Sequence, residues 1–139
     1  TQGLPINCSM DGIIFGQDCY FLGYPFGLGL GGSIDPQLAF VKKAILSAHE
    51  KFGGPEGVGT LYLDGHNNPG FSGGPVFFYR DGDTSKPTIA GVISGYRAEY
   101  QPIQTNGKMD PQSGILGNSG IVVAADIEHV LEAISTSLS

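Results

Sequence analysis

The strongest constraint on this chain is its punctuation: 23 glycines and 9 prolines fall between short apolar runs and follow no fixed period. The lack of a period excludes a collagen-like repeat, and the spacing predicts many tight turns joining short strands. An all-β domain follows. The 139 residues suffice for one domain, numbered 1–139, that buries roughly two-thirds of its unfolded surface. Hydrophobic residues at 40% against charged residues at 14% can build a core and lack the composition of disorder.

The charge pattern bears on partners. A net charge of −6, with no cluster of Lys and Arg, removes the electrostatic footprint on which nucleic-acid binding relies, so neither nucleic acid nor an anionic membrane is an expected partner. No apolar run reaches the length of a membrane helix, and the first residues lack the pattern of a secretory signal. Cys8 and Cys19 are the only cysteines, compatible with one bridge or with two free thiols. No His, Cys, Asp and Glu set has metal-ligand spacing, so no metal and no other cofactor is expected.

Residues 19–24, 60–63, 75–79, 88–96 and 120–124 are short runs rich in β-branched and aromatic residues, and each reads as a strand. Asp81-Gly82 marks a turn between the third and fourth of these. Gly27, Gly29, Gly31 and Gly32 after Pro25 predict a glycine loop. Phe40 to His49 is ambiguous: Leu38, Val41, Ile45 and Ala48 make a helical stripe, whereas Phe40, Ala44, Leu46 and Ala48 make a strand face with one exception at Lys42. Between Tyr100 and Ser119, Pro102, Asn106-Gly107, Pro111, Gly114 and Gly117 predict a long loop. After Asp126, a good helix starter, Ile127, Val130, Leu131 and Ile134 recur at helical spacing and predict a terminal helix packed by that face.

The informative segment runs Asp64-Gly65-His66-Asn67-Asn68-Pro69-Gly70-Phe71-Ser72-Gly73-Gly74-Pro75-Val76. Acyl transfer by serine needs a hydroxyl presented on a tight turn, beside backbone N–H groups aimed where negative charge develops. Gly70 can adopt angles closed to other residues, so that its N–H and that of Ser72 converge on one oxyanion, while Gly73 and Gly74 leave room for substrate.

Gly70-Phe71-Ser72-Gly73-Gly74-Pro75 resembles the nucleophile loop of chymotrypsin-like serine peptidases, and the longer stretch from Asp64 to Val76 is most similar to the HtrA-type (high-temperature-requirement) and related bacterial trypsin-like enzymes. The resemblance spans nearly the whole chain. Phe21 to Gly29 looks like the first strand and following loop of the family's second barrel, Ala44 to Ala48 its second strand, Ala90 to Gly95 the substrate-flanking strand and Gly120 to Ala124 the last strand before the helix. It implies a six-stranded antiparallel Greek-key barrel with a C-terminal helix, and it resolves Phe40 to His49 as strand. It also implies that a first barrel carrying the base His and its Asp precedes Thr1.

By that resemblance Ser72 is the nucleophile of a serine endopeptidase, and Gly70, Phe71 and Ser72 form the oxyanion hole. His66 lies at the floor of the substrate pocket, with Ser94, Gly95, Tyr96 and Gly120 around it. Tyr96 would make the pocket shallow, favouring small or aliphatic side chains. Ser94 would help hold the missing Asp, and Ser94 to Tyr96 would pair with an extended peptide. The implied partners are a peptide or protein substrate and the first barrel. Phe71 departs from the Asp or Asn of relatives, which argues against activation through an ion pair to a new N-terminus. Cys19 matches a half-cystine of secreted relatives, but Phe78 stands at its partner position, which tilts the expectation toward the cytoplasm. His49, His66 and His129 fit no base motif of the family. The competing reading is a catalytically silent domain of the same type that binds peptides.

Overall fold

The structure is a computed structural model that describes residues 6–25, 39–51 and 57–139. The chain order is β1 (Asn7–Cys8), β2 (Asp18–Gly23), β3 (Phe40–Glu50), β4 (Thr60–Asp64), β5 (Pro75–Tyr79), β6 (Pro87–Thr105), β7 (Lys108–Asp126) and α1 (Ile127–Leu138). The domain is therefore mostly β with one C-terminal helix, and it has seven strands among the described residues where six were expected. The additional one is the two-residue β1, which lies parallel to β6 at Thr88 and Ile89. The glycine loop expected after Pro25 falls outside the described residues.

The strands join antiparallel in the order β6-β5-β2-β3-β4-β7, and a further β6–β7 pairing closes the set into a ring. Period-2 alternation explains what lies inside it. Cys19 and Phe21 point inward from β2, Ala44 and Leu46 from β3, Leu61 and Leu63 from β4, Val76 and Phe78 from β5, and Val122 and Ala124 from β7. Each fully buried Leu, Val or Phe contributes roughly 1.5–3 kcal/mol, and together they form one core. Both cysteines are free, and Cys19 packs in this core together with Phe78.

β3 settles the ambiguity at Phe40 to His49. Its backbone is committed on both sides, to β2 from Asp18↔Ile45 to Gly23↔Phe40 and to β4 from Ile45↔Asp64 to Glu50↔Thr60. Two ladders outweigh a weak helical stripe. Of the expected strand face only Ala44 and Leu46 are buried, because a register shift between Leu46 and Ala48 turns Ala48 outward and Phe40 lies at the strand's start.

The long loop expected from Tyr100 to Ser119 is instead a hairpin. β6 and β7 stay paired out to Thr105↔Lys108, and Asn106 and Gly107 turn the chain with φ of +53° and +75°. Positive φ at both central residues is what a two-residue type I′ turn requires. Pro102 and Pro111 are tolerated in this ribbon, whose outer edges pair with no described strand, because proline is accommodated at sheet edges and irregular pairings.

At the C-terminus Asp126 caps α1, its carboxylate accepting from His129 N at 2.9 Å. The other carboxylate oxygen meets His49 Nε2 at 2.9 Å, which ties β3 to the start of the helix. The expected packing face is only begun: Ile127 is buried, but Leu131 and Ile134 are 45% and 51% exposed. From Leu131 onward every helix residue is exposed. No helix among the described residues is long and apolar enough to cross a membrane.

Candidate functional site

Ser72 sits in the turn that leads into β5, and that turn is lashed to two strands. Tyr24 N, just past β2, donates to Gly70 O at 2.9 Å. On the other side Gly73 N donates to Ile93 O at 2.8 Å and Ile93 N donates back to Gly74 O at 2.9 Å, joining the turn to β6. A bond from Gly74 N to Phe71 O at 2.9 Å closes the turn itself.

Glycine is required here for two separate reasons. Gly70 has φ of +103°, a region that side chains oppose, and a Cβ there would overlap the carbonyl oxygen of Tyr24. Gly74 needs the space alone, since its Cβ would overlap the carbonyl oxygen of Leu22. The result is a sharp division between neighbours. Phe71 is fully buried, its ring edge-on to Phe21 at 5.1 Å, whereas Ser72 is exposed. The Ser72 hydroxyl makes no hydrogen bond to any described residue, and neither do the N–H groups of Gly70 and Ser72. A hydroxyl and two amide donors within three residues thus bond to no described residue.

Of the expected pocket residues, the structure brings Gly95 and Gly120 to the same segment. Asn67 Nδ2 donates to Gly95 O at 2.9 Å, and Gly65 N donates to Gly120 O at 2.9 Å. A Cβ added to Gly95 would meet nothing within 4 Å, so the surface above it is open. Tyr96 is 43% exposed. Ser94 Oγ donates to Val123 O at 3.1 Å, across to β7. His66 is exposed, and its side chain bonds to no described residue.

The buried polar residue of this region is Asn67, next to His66 and missed in the sequence. It is 2% exposed, and its Oδ1 has no partner among the described residues. Its own carbonyl accepts from Asn118 Nδ2 at 2.5 Å, and Asn118 Oδ1 in turn accepts from Gly120 N at 3.0 Å. Two asparagines therefore weld the segment before Ser72 to β6 and β7. Lys42 was also missed, although its charge on an otherwise apolar strand face was a signal. Its ammonium donates to His66 O at 2.6 Å and to Asn68 Oδ1, and lies 5.3 Å from the centre of the Phe71 ring. Burial pulls the Lys42 pKa below its ordinary value.

The free edge of β6 completes the arrangement. β5 runs along β6 from Pro87 to Val92, and from Ser94 onward the edge opposite β7 pairs with no described strand. An extended chain can add to such an edge. No histidine ring hydrogen-bonds to Ser72: His49 is held by Asp126, and the rings of His66 and His129 bond to no described residue. No group of three or more His, Cys, Asp or Glu among the described residues is arranged to hold a metal ion. No family model matches the chain, and no curated protein matches it.

Proposed function

We propose that this chain is the nucleophile-bearing Greek-key barrel of a trypsin-like serine endopeptidase. One observation carries the reading: an exposed Ser72 on a glycine turn, with the Gly70 and Ser72 N–H groups bonded to no described residue, beside an edge of β6 that pairs with no described strand. A peptide strand adds along Ser94 to Tyr96 and brings its scissile carbonyl to the turn. Ser72 Oγ attacks that carbon as its proton passes to a histidine held by an aspartate. The two amides take up the oxyanion, the amine leaves with the proton, and water then cleaves the acyl-enzyme.

Because no described histidine bonds to Ser72, the base and its aspartate come from a further barrel of the same protein. The substrate is a peptide or protein, and the reaction needs no metal and no cofactor. The same lack of a base favours a second reading, a silent domain that binds extended peptides along β6. Labelling the full-length protein with a fluorophosphonate probe separates the two. Covalent labelling that Ser72→Ala abolishes supports the endopeptidase. A protein that binds extended peptides, ignores the probe and has no His- and Asp-bearing strands upstream is the silent domain.

A further inference from the structure

Resting on the reading of Ser72 as a nucleophile, we infer that Lys42 is a positioning residue that holds the nucleophile turn in its working geometry from the β3 side. Three contacts converge on one short segment: His66 O and Asn68 Oδ1 accept from the ammonium, and the same Nζ lies over the Phe71 ring at 5.3 Å. Asn68 then passes the constraint on, since its carbonyl accepts from Phe71 N at 3.4 Å. Phe71 directly precedes Ser72.

The anchor at the other end is firm. Lys42 pairs with Phe21 in the β2–β3 ladder, and Phe21 packs edge-on against Phe71 at 5.1 Å. The Phe71 ring is therefore fixed by Phe21 and capped by the cation, both from neighbouring positions of the sheet. A site held from strands is placed more precisely than one held from loops. An exposed lysine ordinarily points its ammonium at water, whereas this one spends it on the start and the end of a single six-residue segment. Its lowered pKa agrees with that partial burial. Phe71 carries no charge, so the turn has no ion pair at that position to fix it. Lys42 supplies the fixing through backbone and amide acceptors and the ring face.

The test uses the full-length protein with Lys42→Met, Lys42→Arg and Ser72→Ala, and measures fluorophosphonate inactivation as kinact and Ki separately. Lys42→Met is expected to lower kinact by about 100-fold, the scale on which a misplacement of roughly 1 Å acts, with Ki within about twofold. Lys42→Arg, whose guanidinium can reach the same acceptors and the ring, is expected to recover most of that loss. Hydrogen exchange on the same proteins reads the turn directly: the hydrogen-bonded amides of Phe71, Gly73 and Gly74 exchange about tenfold faster in Lys42→Met while those of β3 and β4 do not change. Unchanged kinact and unchanged exchange in Lys42→Met overturn the inference. So does a loss in both lysine variants that follows a lowered melting point and loosens every strand alike. A wild-type protein that never labels at Ser72 sinks the hydrolase reading instead, and the exchange measurement still decides whether Lys42 holds the turn.

Discussion

Gly70→Ala is the sharpest perturbation of the site, because the structure supplies its own control. At φ of +103° an alanine carries a backbone cost of roughly 1–2 kcal/mol. Its Cβ also overlaps Tyr24 O, so the turn must retreat by about 1.4 Å to reach ordinary contact. That retreat breaks the Tyr24 N to Gly70 O bond, worth about 1 kcal/mol. The expected loss is about 3 kcal/mol. Gly73→Ala meets the same kind of backbone cost at φ of +86°, but its Cβ would find nothing within 4 Å. It should lose only about 1–2 kcal/mol. The chain contains no Trp, so urea unfolding is best followed by far-ultraviolet circular dichroism. The two variants should differ in midpoint with equal slopes, and Gly70→Ala should also lose nearly all labelling at Ser72. If the two midpoints coincide, or Gly73→Ala is the weaker protein, the turn does not rest on the Tyr24 carbonyl and the geometry argued for Ser72 is wrong.

Four further outcomes follow from other parts of the molecule. Asp126→Ala removes the helix cap and the partner of His49 together and should cost about 2–4 kcal/mol in urea unfolding, whereas Asp126→Asn, which can still cap, should cost clearly less; equal losses would mean that the cap contributes nothing. Burial pushes the Cys19 thiol from its ordinary 9.0 up to about 11, so the folded state holds that proton more tightly than the unfolded chain. The contribution is whole below pH 9.0 and lost as pH climbs toward about 11, and a titration of stability that Cys19→Ala leaves unchanged in slope over that window would contradict it. In a native thiol assay Cys8 should react while Cys19 reacts only in denaturant. Asn67→Asp loses the donor to Gly95 O and buries a charge, and should cost at least about 3 kcal/mol against about 1–2 for Asn67→Leu; a tolerated Asp would show that this side chain reaches water.

Strand identity was legible wherever a run was short, apolar and bounded by turn residues, as β4 and β5 are. The failures have physical causes. At Tyr100 to Ser119 two prolines and several glycines suggested a loop, but a ribbon whose outer edges pair with no described strand can absorb them, and Asn106-Gly107 was the hairpin signal within the same stretch. In α1 the periodic face from Ile127 to Ile134 was real as a pattern, yet periodicity does not tell how far a helix stays on its sheet, and only Ile127 is buried. Phe40 to His49 shows the converse: a helical stripe was present and two flanking ladders overrode it.

The Ser72 turn was legible because its glycines answer to local geometry, and φ and close approach leave a mark in the sequence itself. The parts that hold the turn left almost none. Asn67 and Asn118 act across 51 residues of sequence, and Lys42 reaches its acceptors across 24 and 26. An amide or an ammonium in a polar stretch looks the same whether it faces water or bonds a distant carbonyl; only the fold decides which. The consequence for Phe71 is specific. An aromatic residue at that position removes one way of fixing a serine turn, and the sequence alone suggests a turn less well held. In the folded chain Phe71 is the most buried residue of the turn, gripped between Phe21 and Lys42, so the loss of a charge there is met by packing and by a cation from the neighbouring strand.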